Sequence, residues 1–368
     1  TIDAGLQKKI SEVLMRRLAL SSSAKGATAV AIEPATGEIL ALVTIPSYDN
    51  NMFSTPSARQ EYQRMERSAL NPFFNRAISG MYPPGSVIKP FVAYAALEEG
   101  VVTPRTQVMS TGSIVIPNPY NPDAPAVFRD WKAGGHGIVD IYKAIAESVN
   151  TYFYAIGGGY GDISGLGVLR IKKYLDAFGF GTKTNIDIMG EGAGVVPNQE
   201  WKERVLGAQW TLGDTYNVSI GQGNLLVTPL QLTRAYAALA NGGKLMQPLL
   251  VKEVIDNNNN VIFESRPLVV TTSADDEKNL QAVRTGMRQT VTDGSARRLA
   301  DLPGAVAGKT GTAQAPRGAT HAWFASFAPF DDPQIALVIL FEEGGEGSAV
   351  AVPAAQEIYQ WYFGDRKK

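Results

Sequence analysis

Apolar residues recur along the chain with helical or strand-like spacing, and the breaks between these patterns mark most of its elements. Leu6, Ile10, Val13, Leu14 and Leu18 fall on one helical face, so residues 3–20 are predicted to form an amphipathic helix. After the polar stretch Ser21–Gly26 come two β-rich runs, Thr28–Glu33 and Glu38–Ile45. Between them lies Pro34-Ala35-Thr36-Gly37, turn chemistry that predicts a hairpin. Residues 46–84, dense in Pro, Asn, Ser and Arg, read as irregular. A helix is expected over about 86–99, and a Pro/Asn-rich loop over 103–135. From about 139 to 242 the pattern is mostly helical, as with Leu232, Tyr236 and Leu239 after the Thr228-Pro229 start. Two strands should flank the turn Asp256–Asn260, and a helix should cover 276–291. Strands over 304–314, 321–328 and 334–341 follow. The last helix, 352–363, carries Ala355, Ile358, Tyr359 and Tyr362 on one face.

Strands therefore gather at the two ends of the sequence and helices in the middle. The economical arrangement is an α+β fold: one antiparallel sheet built from both ends, with a large helical insertion. With no internal repeat and no flexible linker, residues 1–368 are expected to form one domain.

Composition narrows the chemistry. The 368 residues carry 34 Lys+Arg against 35 Asp+Glu, so no basic footprint for nucleic acid or an anionic membrane exists. There is no Cys and only two His, which excludes a thiol nucleophile, a disulfide frame and a multi-histidine metal centre. Apolar runs such as Phe91–Leu97 and Ile335–Phe341 fall well short of the roughly 18 residues of a membrane helix. The chain opens on Thr1 with no signal-like segment, and reads as a cut or processed piece.

A nucleophile must then come from Ser, Thr, Lys or a carboxylate. Ser86-Val87-Ile88-Lys89 puts a Ser and a Lys three apart, hence on one helical face. Pro83, Pro84 and Gly85 before it, and Pro90 after it, place Ser86 at the start of the helix, where Pro costs little. An ordinary helix cap explains the same serine, and Ser22-Ser23-Ala24-Lys25 matches the spacing in a polar linker with no helix behind it. Ser148-Val149-Asn150 sits between the helical run Val139–Glu147 and the aromatic run Thr151–Tyr154. It offers a hydroxyl and an amide to one cleft, or simply caps a helix. Lys309-Thr310-Gly311-Thr312 lies in a candidate strand, where Lys and Thr suit a carboxylate and Gly lets a ligand backbone approach. A decoy, Arg284-Thr285-Gly286, falls mid-helix.

Ser-x-x-Lys, Ser-x-Asn and Lys-Thr-Gly, in that order, resemble the signature of penicillin-binding proteins and class A β-lactamases. Tyr82 through Pro90 is similar to the nucleophile segment of class B penicillin-binding proteins, the penicillin-binding protein 2 subgroup in particular. Asp130-Trp131-Lys132 through His136-Gly137, Ile220-Gly221-Gln222-Gly223 and His321-Ala322-Trp323-Phe324 resemble that subgroup too. The long gap from Ser148 to Lys309 suits these proteins better than class A β-lactamases. The resemblance covers essentially the whole chain as a transpeptidase domain. It implies a five-stranded antiparallel sheet flanked by the terminal helices, with the family's membrane anchor and pedestal lying before Thr1.

It also implies a peptidoglycan D,D-transpeptidase, anchored in the cytoplasmic membrane and acting on its periplasmic or extracytoplasmic face. Ser86 would attack the D-Ala-D-Ala carbonyl of a stem peptide, with neutral Lys89 as base. Ser148 would relay the proton, supported by Lys309, while Asn150 holds the substrate's side amide. Thr310 and Thr312, flanking Gly311, would bind the terminal carboxylate, and the Ser86 and Thr312 N–H groups would form the oxyanion hole. β-Lactams would acylate Ser86. A membrane glycan polymerase and elongation-complex proteins are the implied partners, and no cofactor is implied. Some members carry a zinc site of Asp, His and Cys. Asp130 and His136 match two positions, but Val149 stands where the Cys would be, so no structural zinc is expected. Rival readings are a β-lactamase or D,D-carboxypeptidase, in which water takes the acyl group, and a β-lactam sensor domain.

Overall fold

The helices among the described residues include α1 (Ala4–Ala19), α2 (Lys89–Glu98), α3 (Ile141–Ala146), α4 (Asn150–Gly158), α5 (Pro229–Ala240), α6 (Glu277–Thr292) and α7 (Ala351–Phe363). The computed structural model describes residues 1–54, 56–118 and 121–367. Strands from both chain ends join in one sheet. β1 (Gly26–Ile32) pairs with β2 (Ile39–Ile45) on one side and β5 (Ile335–Glu342) on the other. β3 (Ala307–Gln314) and β4 (Thr320–Ala328) complete the order β3-β4-β5-β1-β2, antiparallel throughout.

The central strands β1 and β5 are apolar at nearly every position because both faces are covered. Along β5, Leu337, Ile339 and Phe341 pack into a core shared with α1 and α7. The intervening Ala336, Val338 and Leu340 point the other way, into the larger core with α2, α4 and α5. Side-chain alternation thus splits one continuous run between two cores, and each methylene buried contributes about 0.8 kcal/mol. Helix α1 starts where Asp3 accepts the Leu6 N–H, and its Leu6, Ile10, Val13 and Leu14 are the buried stripe.

Two expected loops hold structure. Residues 58–66 form a helix none of whose residues is buried, so it has no apolar stripe to reveal it in sequence. The stretch 103–135 contains short strands at Val108–Ser110, Ser113–Ile116 and Ala126–Arg129. The first pairs with Gly137–Val139 and the other two with each other. Residues 55, 119 and 120 of these stretches lie outside the described ones. Among the described residues no helix is long and apolar enough to cross a membrane.

Candidate active site

The expected helix at 86–99 begins as a tight 3-10 turn, Gly85–Ile88, before α2 takes over at Lys89. Pro90 falls in the first turn of α2, where a missing amide costs no hydrogen bond. Gly85 adopts φ +57°, and a Cβ there would stand 2.7 Å from the Thr312 carbonyl oxygen. Its N–H donates to the Gly221 carbonyl at 2.8 Å. The turn is also gripped by the Tyr236 hydroxyl of α5, which donates to the Val87 carbonyl at 2.8 Å, and by Trp323 Nε1 of β4, which donates to that of Pro83 at 3.1 Å. Ser86 is thus carried, half-buried, on a segment with little freedom to shift.

Lys89 points away from solvent and is fully buried. Its Nζ reaches the Ser148 carbonyl at 2.8 Å, Asn150 Oδ1 at 2.7 Å and Ser148 Oγ at 3.2 Å. The Phe153 ring lies 5.1 Å away. Burial pushes this amine down to about 7, against the opposing pull of the Asp130 charge. Ser148 meets the lysine by adopting φ +60° between α3 and α4, a left-handed backbone that costs a non-glycine residue about 1 kcal/mol. Strain of this kind persists where the surrounding contacts over-determine it.

Lys309 is also fully buried, and its Nζ donates to the Thr310 carbonyl at 3.0 Å. Burial first, and then the neighbouring Lys89, hold this amine well below its ordinary range. The Thr310 hydroxyl lies 2.6 Å from that of Ser295, and Thr312 Oγ1 accepts the Gly347 N–H at 3.4 Å. Gly311 departs from the sequence reading in one respect. A Cβ there would come within 2.9 Å of Val87 Cγ1 and 3.1 Å of the Pro84 carbonyl, so the backbone it lets approach is the protein's own Gly85–Ile88 turn.

Ser86, Ser148, Asn150, Thr310, Gly311 and Thr312 line one cleft of about 310 Å³, while the two lysines are fully buried and do not line it. The sequence decoys stay apart. Lys25 pairs with Glu343 at the surface at 2.7 Å, and Arg284 of α6 lies over the Phe327 and Phe330 rings. Sequence reasoning missed Glu147 and Ser295 as lining residues, and assigned no role to Trp131 or Gln222. Adjacency to Ser148 was a usable signal for Glu147; Ser295 arrives from the end of α6 without a motif.

Asp130 and His136 do meet. The His136 ring lies 3.3 Å from Asp130 Oδ1 through Nε2 and 2.6 Å from Glu147 Oε2 through Nδ1. The two carboxylates sit at opposite ring nitrogens, so the donors do not converge on one point, and Val149 is fully buried with no thiolate to offer. Asp130 Oδ2 is engaged by the Thr151 N–H and hydroxyl. This donor set does not fit a zinc ion. His321, at the start of β4, packs edge-on to Tyr82 at 5.4 Å and accepts the Glu343 N–H at 3.3 Å.

An edge strand bearing Lys-Thr-Gly against a serine turn, on a sheet of this order, is the arrangement of a penicillin-recognising fold. The family model described as the penicillin binding protein transpeptidase domain matches residues 27–360, and the chain belongs to that family. It is 36% identical over 384 residues to the peptidoglycan D,D-transpeptidase MrdA of Haemophilus influenzae, covering 100% of this chain and 56% of that one. The chain thus spans about half the length of the curated relatives it matches, 54% in the Acinetobacter baumannii case. The structure of Pseudomonas aeruginosa PBP2 in complex with WCK 5153 superimposes with a TM-score of 0.85 at 36% identity, covering 100% of this chain and 75% of that one. The complex of PBP2 with MreC from Helicobacter pylori gives 0.81 at 32% identity, with coverage of 98% and 63%.

Proposed function

We propose that this chain is the transpeptidase domain of a peptidoglycan D,D-transpeptidase with a role in cell elongation and shape. The observation that carries the reading is the Lys89 environment. A neutral amine has two N–H donors and one lone pair. The Ser148 carbonyl and Asn150 Oδ1 match the two donors, and the lone pair is left for hydroxyl protons. Burial lowers the Lys89 amine to about 7, which makes its neutral form accessible at neutral pH and suits a general base.

In the proposed cycle Lys89 takes the Ser86 proton as Oγ attacks the carbonyl between the terminal D-Ala residues. The Ser86 and Thr312 N–H groups carry the oxyanion, each such donor being worth about 100–1000-fold in rate. Ser148, supported by Lys309, returns the proton to the departing D-Ala amine as the C–N bond breaks, leaving an ester on Ser86. Asn150 holds the substrate's side amide, and Thr310 and Thr312 its terminal carboxylate. An amine of a second stem peptide then takes the acyl group. A β-lactam would enter the same cycle and stop at the ester.

Membrane anchoring with an extracytoplasmic catalytic domain, a glycan polymerase partner and elongation-complex partners of the MreC type complete the proposal. They are supported by the family and by the Helicobacter pylori complex. The test is turnover of pentapeptide stems: cross-linked dimer with one D-Ala released per link is expected. D-Ala released without dimer would replace the reading with a D,D-carboxypeptidase, and rapid turnover of penicillin would replace it with a β-lactamase.

A further inference from the structure

Among the described residues the cleft is lined by two carboxylates, Glu147 and Glu346, and by no lysine or arginine. Glu147 is the better braced. His136 Nδ1 holds its Oε2 at 2.6 Å, while Oε1 carries no hydrogen bond among the described residues. Trp131 stands edge-on to the His136 ring at 5.3 Å and donates its Nε1–H to the Glu147 carbonyl at 3.2 Å. Trp131 is nevertheless 64% exposed. Trp131 and the Glu147 carboxylate thus both rest on the His136 ring, with Trp131 tied also to the Glu147 main chain, and they leave the cleft an indole surface and a carboxylate oxygen. An aromatic face beside a fixed carboxylate attracts an ammonium through both its quadrupole and its charge.

We propose that Trp131 and Glu147 form the subsite for the acceptor, binding its side-chain amine as the ammonium it is at neutral pH. The proposal rests on the transpeptidase reading and deepens it. It gives the His136–Asp130 pair a role without metal, as the support that holds Glu147 in place. The bound ammonium first passes a proton to the Ser148–Lys89 pair. Its nitrogen lone pair then forms the new C–N bond as the ester C–O bond to Ser86 breaks; the nitrogen's second proton passes to Ser86 Oγ, and the proton held by the Ser148–Lys89 pair is released to solvent.

The test is the partition of one acyl-enzyme, formed from an acyl-D-alanyl thioester, between aminolysis and hydrolysis. The ratio is read after acylation and so does not depend on how fast Ser86 reacts. Two acceptors are compared: a diaminopimelate-containing stem tripeptide, whose acceptor amine is an ammonium at neutral pH, and hydroxylamine, which is uncharged there. Glu147→Gln keeps an oxygen for His136 but removes the charge. It should lower the tripeptide ratio about tenfold and leave the hydroxylamine ratio where it was. Trp131→Leu should show the same selectivity with a smaller loss. Equal losses for both acceptors would mean that Glu147 merely positions Ser148, and no loss for either would remove the subsite. A fall in hydrolysis alone would make Glu147 a water-activating base and overturn the proposal. If the wild type forms no acyl-enzyme at all, the transpeptidase reading fails and takes the subsite with it.

Discussion

Lys89 Nζ lies 2.7 Å from Asn150 Oδ1, a hydrogen bond between residues 61 apart in sequence. The same amine contacts Ser148, so the first two motifs meet on one buried nitrogen. Whatever protonates that nitrogen changes both motifs together.

That coupling fixes a pH dependence. Burial favours the neutral amine, so the base form of Lys89 grows as pH rises through about 7. Acylation by penicillin should therefore climb through a midpoint near neutrality, with low rates on the acid side. Lys89→Arg, cationic at every pH, should lose about 100–10,000-fold in acylation rate. A flat profile between weakly acid and weakly alkaline pH would argue against Lys89 as the base.

The two lysines that follow a serine or precede a threonine are not equivalent to a surface lysine. Lys309 is fully buried behind the Thr310 wall, whereas Lys25 forms an exposed pair with Glu343. Lys309→Ala should slow acylation by about 100-fold or more, while Lys25→Ala should leave it within experimental error. Stopped-flow acylation of both variants decides the matter; equal effects would show that the wrong lysine has been assigned.

Gly221 is a packing requirement of the Gly85–Ile88 turn that carries Ser86. It sits at φ +77°, and a Cβ would fall 2.1 Å from the Gly85 carbonyl oxygen, with backbone on both sides of the clash. Gly221→Ala should displace Ser86 and cut acylation by about 100-fold, in line with the cost of a 1 Å misplacement. Its Tm should fall as well, by the few degrees expected of about 1–2 kcal/mol in a chain this long. A variant acylated at the wild-type rate would show that the turn is not gripped from this side.

Most of the sheet was legible because β1, β2, β4 and β5 are long and largely apolar, and the hairpin at Pro34–Gly37 is signalled by turn residues. Helix α1 was legible because Leu6, Ile10, Val13 and Leu14 mark its buried stripe. The helix over 58–66 was not, since nothing on it is buried, and the three- and four-residue strands within 103–135 are too short to show a period. Within the site, Ser86, Ser148 and the Lys-Thr-Gly strand announce themselves by spacing. Tyr236 was legible as a helix-face residue, but its hydroxyl grip on the Val87 carbonyl depends on a contact 149 residues away. Ser295, which meets Thr310, and the Trp131–His136–Glu147 loop are likewise products of tertiary packing, not of any local pattern.

The central claim is that Ser86 is the nucleophile of an acylating site. Intact mass after incubation with penicillin tests it most directly. The wild type should gain the mass of one penicillin, retained over the time of the measurement, and Ser86→Ala should gain nothing. An adduct of the same mass on Ser86→Ala, or none on folded wild type, would contradict the account.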